Sequence, residues 1–218
     1  LTVISGNLDI VLQGYGNSKL TKDDKDLLND TIEASDRLIG MVNDFLNVSR
    51  LDQGRLKYEL INIDAGSVIT SAVRQVQPLA RNKNIYLKLE SPQSGLIVNA
   101  DENLLREIVI NLIGNAIKFT KEGGITVSET VDNGILEVRV KDTGAGIRKE
   151  MQKLLFQRFQ QVMDRTLARE AGGTGLGLYI SREFARVMKG DLKLDSSDIG
   201  KGSTFLLTLP LENNIKSG

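Results

Sequence analysis

Apolar residues recur at steps of three and four through the first quarter of the chain, the spacing of amphipathic helices. A break rich in glycine at residues 14–18 separates a first helix from a second. The second helix is expected to begin at Thr21, because a threonine followed by acidic residues is typical of a helix N-cap. Its apolar stripe alternates steps of four and three and consists of Leu28, Ile32, Ser35, Ile39, Val42, Leu46 and Ser49, widened by Leu27, Leu38 and Phe45.

The width of this stripe exceeds what two helices can cover. A second copy of the hairpin would bury it in a four-helix bundle. We therefore expect residues 1–57 to form a homodimer through a helical hairpin. The alternative is a hairpin that packs on its own domain.

Strand-like and helix-like stretches alternate from residue 58 to residue 212. The expected strands are 58–63, 85–90, 96–99, 125–130, 135–141, 191–196 and 204–209, and the expected helices are 64–82, 101–119 and 174–188. This order predicts the α+β class: a helical hairpin, then an α/β sandwich in which about three helices cover one face of a single mixed sheet. Residues 213–218 are expected to be a tail.

The amino-acid composition excludes several kinds of binding surface and several kinds of catalytic or metal site. The chain has 28 basic and 28 acidic residues, which argues against a nucleic-acid or anionic-membrane surface. It contains neither cysteine nor histidine, so thiolate and imidazole sites are excluded. No apolar run approaches the roughly 20 residues of a membrane span. We expect a cytoplasmic location without direct membrane contact, and a start at Leu1 inside a helix predicts a fragment of a longer protein.

A row of polar residues follows one side of the predicted helix 101–119. Glu107, Asn111, Asn115 and Lys118 are spaced so that they share one stripe. Carboxamide oxygens can ligate Mg²⁺ and a lysine ammonium can meet phosphate. An ordinary solvated helix face is the alternative interpretation.

A carboxylate and two glycines follow the strand at 135–141. Asp142 can accept a hydrogen bond from an amino group that lies against the bare backbone of Gly144 and Gly146. Adenine offers such an amino group, whereas guanine offers a carbonyl that the carboxylate would repel. A simple turn at the end of a strand is the alternative.

A glycine-rich stretch at residues 172–178 precedes the predicted helix 174–188. Free backbone N–H groups at a helix start make an anion site. The spacing is neither that of a Walker A loop nor that of a dinucleotide fingerprint, and a flexible hinge is the alternative. The charged stretch 148–171 is expected to be a mobile lid, held by the aromatic residues Phe156 and Phe159.

Four segments in this order, residues 111–119, 142–146, 156–159 and 173–178, resemble the N, first-glycine, F and second-glycine boxes of sensor histidine kinases, within the GHKL ATPases. The resemblance implies that Asn115 and Asn111 hold Mg²⁺ and that Lys118 meets a phosphate. Asp142 would read adenine, with Gly144 and Gly146 making room for it. The further ATP-binding residues that it implies are Phe119, Ile147, Phe159, Gly173, Thr174, Gly175, Leu176, Gly177, Leu178 and Thr204.

This sequence departs from the pattern of the family at two places. Gln161 stands where many relatives have a phosphate-binding arginine, and Arg158 or Arg165 is a possible substitute. The phosphoacceptor histidine would lie six residues before Leu1, outside this sequence.

The implied function is an ATP-dependent protein-histidine kinase that passes phosphate to the receiver domain of a response regulator. One alternative is a non-catalytic dimeric scaffold that binds nucleotide or regulator. Another is a GHKL ATPase of the chaperone, topoisomerase or mismatch-repair type, which would need a carboxylate base where this chain has Asn111.

Overall fold

The computed structural model describes residues 20–90, 92–160 and 174–212, together with Gly6, Leu8 and Val11, which are helical. Most of the expected first helix lies outside the described residues. So do residues 161–173 of the expected lid, and the tail 213–218.

Helix α1, Lys22–Asp52, begins as the sequence predicts. The Thr21 hydroxyl accepts a hydrogen bond from the Asp24 N–H at 3.2 Å, and the Asp24 carboxylate accepts one from the Thr21 N–H at 2.9 Å. This reciprocal pair satisfies two backbone donors that a helix start otherwise leaves open. Leu27, Leu38 and Phe45 of the predicted stripe are exposed in the single chain.

Seven strands follow in the described part of the chain, and they form two sheets rather than one. The strands are β1 Ile61–Asp64, β2 Tyr86–Glu90, β3 Ile97–Ala100, β4 Gly124–Asp132, β5 Ile135–Asp142, β6 Asp191–Asp198 and β7 Gly202–Pro210. Five of them make a mixed sheet in the order β2-β4-β5-β7-β6, in which only β2 and β4 run parallel.

The prediction of a single sheet is wrong, because β1 and β3 pair with each other as a separate antiparallel ribbon. A single bridge between Val98 and Leu211 connects this ribbon to the end of β7.

Three helices pack on the five-stranded sheet, as expected for the α+β class: α2 Ala65–Asn82, α3 Glu102–Phe119 and α5 Gly177–Val187. The short helix α4 spans Lys149–Gln152. Asp64 and Asp101 cap α2 and α3 by accepting hydrogen bonds from backbone N–H groups of their first turns. Among the described helices, none is long and apolar enough to cross a membrane.

The core lies between these helices and the sheet. Fully buried side chains come from α2, α3, α5 and from β4, β5 and β7, and include Ile69, Leu105, Leu112, Ile125, Leu136, Phe184 and Leu207. Because α3 is at the centre of this packing, its polar stripe is held rigidly at the edge of the core. That stripe faces a cavity between α1, α3 and α5.

Candidate functional site

A cavity of about 560 Å³ lies between α1, α3, α5 and the end of β5. It collects most of the residues that the sequence singled out. Those that line it are Asn111, Asn115, Lys118, Phe119, Asp142, Gly146, Ile147, Thr174, Gly175, Gly177 and Leu178. The volume is in the range of small-molecule sites.

The two carboxamides of α3 form a chain of hydrogen bonds at one end of the cavity. Asn115 donates from Nδ2 to Asn111 Oδ1 at 3.2 Å, and Asn111 donates from Nδ2 to Ser181 Oγ of α5 at 2.8 Å. Ser181 has no counterpart in the sequence predictions. Amide oxygens are ligands that Mg²⁺ accepts, so this end of the cavity fits a magnesium ion.

Lys118 lies one turn further along α3. Its Nζ lies 5.0 Å from the centre of the Phe119 ring, and partial burial lowers its pKa. Lys83 closes this end of the helix by donating from Nζ to the carbonyls of Ile117 and Lys118, at 2.6 and 2.8 Å. A cation at a helix C-terminus is favourable, and here it fixes the turn that carries Lys118.

Asp142 is buried at the opposite end, with 6% of its surface exposed. Burial raises the pKa of its carboxyl, and hydrogen bonds from the backbone N–H groups of Gly144 and Ser203 oppose that rise. The Gly144 N–H lies 2.7 Å from Asp142 Oδ1. A Cβ at position 144 would come within 2.5 Å of the Phe119 carbonyl oxygen, so the turn requires glycine.

The second glycine segment joins the cavity to α1. The Thr174 hydroxyl donates to the Asp44 carboxylate at 2.6 Å and accepts from the Leu176 N–H at 3.1 Å. Gly175 has φ +70°, a conformation that favours glycine. The helix α5 then begins at Gly177.

Helix α1 contributes cavity residues that the sequence analysis did not identify, among them Arg37, Met41 and Asp44. Burial raises the pKa of Asp44. Burial, and then the neighbouring charge of Asp44, raise the pKa of Glu107. Glu107 was visible as part of the polar stripe of α3, but no local pattern indicates which part of α1 packs against it.

The structure contradicts the placement of Phe159. Its side chain is 64% exposed, its φ is +61°, and it does not line the cavity. Leu155 is buried instead, and Phe156 packs on the core with the Arg182 guanidinium 5.1 Å from its ring. Of the predicted aromatic pair, Phe156 packs on the core and Phe159 does not, so the expectation that both hold the base of the lid is wrong for Phe159.

Thr204 is also misplaced. Ser203 and Phe205 line the cavity, whereas Thr204 lies between them on β7 and does not. Because side chains of a strand alternate between faces, an assignment that is wrong by one residue selects the wrong face.

The remaining predicted residues are nearby or outside the described chain. Leu176 is buried in the core, and Gly144 acts through its N–H on Asp142. Arg158 donates to both oxygens of Asp52 and, at 2.6 Å, to the Tyr179 hydroxyl, so it is not placed at the cavity. Gly173, Gln161 and Arg165 lie outside the described residues.

Two family models match the chain. Residues 100–213 match the histidine kinase-, DNA gyrase B- and HSP90-like ATPases, and residues 1–54 match the His Kinase A (phospho-acceptor) domain. The ATPase match includes every cavity residue from α3, β5, β7 and α5.

Similar proteins are sensor kinases. The sensor protein GacS of Pseudomonas syringae pv. syringae is 34% identical over 200 residues, which are 89% of this chain and 22% of that protein. The sensor histidine kinase MtrB of Mycolicibacterium paratuberculosis is 38% identical over 176 residues, 81% of this chain and 31% of that protein. The chain thus spans between a fifth and a third of these relatives.

A solved structure of full-length ShkA in complex with AMPPNP shares the fold, with a TM-score of 0.73 and 28% identity over 96% of this chain and 43% of that one. The chain belongs to the histidine kinase-, DNA gyrase B- and HSP90-like ATPases, and within them to the sensor histidine kinases.

Proposed function

We propose that this chain is the ATP-binding kinase core of a two-component sensor, which transfers the γ-phosphoryl group of Mg-ATP to a histidine outside this sequence. The observation that carries the proposal is the pairing, in one cavity, of a buried carboxylate with a row of two carboxamides and a lysine. The carboxylate can accept a hydrogen bond from a purine amino group. The two carboxamides and the lysine can bind a triphosphate together with its metal ion.

The adenine end is built from Asp142 and the turn that follows it. The carboxylate accepts from the adenine amino group, since the oxygens of an ionised carboxyl accept hydrogen bonds and do not donate them. Phe119 and Ile147 line the same cavity and provide apolar walls for the ring. Gly146 also lines the cavity; it has φ +69°, and a Cβ there would collide with the Asp198 carbonyl oxygen, so this turn requires glycine.

The phosphate end is built from α3 and the start of α5. Asn115 and Asn111 would hold Mg²⁺ through their carboxamide oxygens, and Mg²⁺ supplies charge neutralisation of the phosphates. Lys118 binds a phosphate oxygen. Thr174 and the N–H groups of Gly175, Leu176 and Gly177 offer further donors at the helix start.

Hydrolysis is expected to be slow. The ATPases of the wider family need a general base, and the carboxamide of Asn111 takes up no proton at neutral pH. Phosphoryl transfer depends mainly on positioning and charge neutralisation, which this site offers.

We also propose a domain organisation for this chain and a partner that receives the phosphoryl group. Residues 1–57 would be the dimerisation hairpin and residues 58–212 the ATP-binding domain. A hydrogen bond from the Glu59 N–H to the Asp101 carboxylate at 2.8 Å supports a boundary before residue 59. The receiver domain of a response regulator would be the next phosphate acceptor.

The test measures phosphoryl transfer from γ-labelled ATP to this chain and, in parallel, to a version extended upstream to include the histidine. The extended version should gain an acid-labile, alkali-stable label, and the shorter chain should not. Release of inorganic phosphate without protein labelling would instead support the hydrolysing class.

A further inference from the structure

The hydrogen-bond chain through Asn115, Asn111 and Ser181 has a direction. A carboxamide donates hydrogen bonds from its nitrogen and accepts them at its oxygen. Asn115 turns its nitrogen toward Asn111, so its oxygen lies on the opposite side of the amide group, and Asn115 lines the cavity. Asn111 turns its nitrogen toward Ser181, which leaves its oxygen for Asn115.

Helix α5 is shaped to hold the Asn111 carboxamide. A Cβ at position 177 would lie 2.7 Å from Asn111 Oδ1 and 3.2 Å from its Nδ2, so only glycine lets the amide lie against this turn. Ser181 is one turn further on the same face of α5 and provides the acceptor. Gly177 thus leaves space for the Asn111 carboxamide, and Ser181 accepts its hydrogen bond.

Ser181 is built into the core rather than the surface. It is 3% exposed, and its neighbours Ile180 and Phe184 are buried as well. The half-buried Asn111 amide, once it has lost this acceptor, would rotate to find another partner or remain unsatisfied. Either outcome would disturb the orientation of Asn111 and, through it, that of Asn115.

We propose that Ser181 is a positioning residue for the metal: by accepting from Asn111 it fixes that carboxamide, whose oxygen holds the Asn115 nitrogen, so that Asn115 presents its oxygen, and not its nitrogen, to Mg²⁺. The inference rests on the proposed function, since it names how the same site holds its cation. It also ties the metal end of the cavity to α5, the helix that the second glycine segment starts.

The experiment compares Ser181→Ala with the unmodified chain by calorimetric titration with ATP, once with Mg²⁺ and once with EDTA. The Mg-ATP affinity should fall about tenfold, which corresponds to the loss of one part-buried hydrogen bond. The Mg-free affinity should change by less than about twofold, because the adenine end is untouched.

Val187→Ala is the matched control, because it loosens the same helix at a half-buried position outside the cavity. It should leave the ratio of Mg-bound to Mg-free affinity unchanged. An equal loss of both affinities in Ser181→Ala, or no loss in either, would overturn the positioning role.

A second readout needs no nucleotide. In spectra of the side-chain amides of the nucleotide-free chain, Ser181→Ala should shift the resonances of both Asn111 and Asn115, whereas Val187→Ala should not. Unchanged Asn115 resonances would contradict the relay. If the unmodified chain binds no ATP, the proposed function fails, while these spectra still decide whether the relay exists.

Discussion

At the scale of single residues, the Asp142 carboxylate determines which base fits the cavity. Its Oδ1 is already occupied by the Gly144 N–H at 2.7 Å. The Ser203 N–H is a second backbone donor to the same group. A carboxylate held in this way accepts a further donor but would repel a carbonyl.

Replacement of this carboxylate tests the assignment. Asp142→Asn should weaken ATP binding by about 2–4 kcal/mol, because a charged hydrogen bond is lost and the amide presents a donor to a donor. Asp132→Asn, at the exposed end of β4, is the control for a general effect of the same substitution. Titration of both variants, with thermal unfolding measured in parallel, gives the answer. Unchanged affinity in Asp142→Asn would exclude base recognition by this residue.

Sequence motifs located about half of the cavity residues but not their exact orientation. The stripe Asn111, Asn115, Lys118 was predictable because helical spacing places these residues on one side. Ser203 was missed in favour of Thr204, because the face of a strand depends on a register that short motifs do not specify. Ser181 was missed because its partner is 70 residues away in the chain.

At the scale of elements, α1 reaches the cavity of the ATP-binding domain through Asp44. The Thr174 hydroxyl is bonded to Asp44, and Arg158 is paired with Asp52 at the end of the same helix. The raised pKa values of Asp44 and Glu107 indicate that their charges are unfavourable in this place.

Removal of one of these negative charges should favour the binding of ATP, which is itself a polyanion. Asp44→Asn should tighten Mg-free ATP binding about fivefold, since about 1 kcal/mol of partly screened repulsion is lost. Asp30→Asn, exposed on the same helix, should have no effect. The measurement is a titration in EDTA, and weaker binding by Asp44→Asn would show that this carboxylate assists the ligand instead.

The extent of the elements was largely predictable, and their assembly was not. Helix α2 was expected at 64–82 and spans Ala65–Asn82, because its apolar periodicity is strong. The separation of β1 and β3 from the main sheet was not expected, since that pairing joins residues about 35 positions apart. Long-range pairing leaves no signal in either strand alone.

At the scale of the whole molecule, α1 carries an apolar surface that the described chain leaves exposed. Leu27, Leu38, Val42, Phe45 and Leu46 all belong to it. Full burial of an exposed apolar side chain is worth about 1.5–3 kcal/mol, and these side chains, already about half buried, would gain about half of that each. This gain supports a second copy of the chain as the partner of this surface.

Val42→Glu should dissociate that dimer, because it would bury a charge without a partner. Val131→Glu is a matched control: the two valines are 46% and 45% exposed in the single chain, and Val131 lies on β4 away from α1. Light scattering at high micromolar concentration should show a monomer only for Val42→Glu. A monomeric unmodified chain with intact helices would argue against the dimer.

The central claim is that this cavity binds ATP and reads its base. The most direct measurement is a calorimetric titration of the unmodified chain with ATP and with GTP, each with Mg²⁺. The account predicts saturable binding of ATP at or below millimolar concentration and negligible binding of GTP, because Asp142 accepts from an amino group and repels a carbonyl. Equal affinity for both nucleotides, or no binding of either, would contradict it.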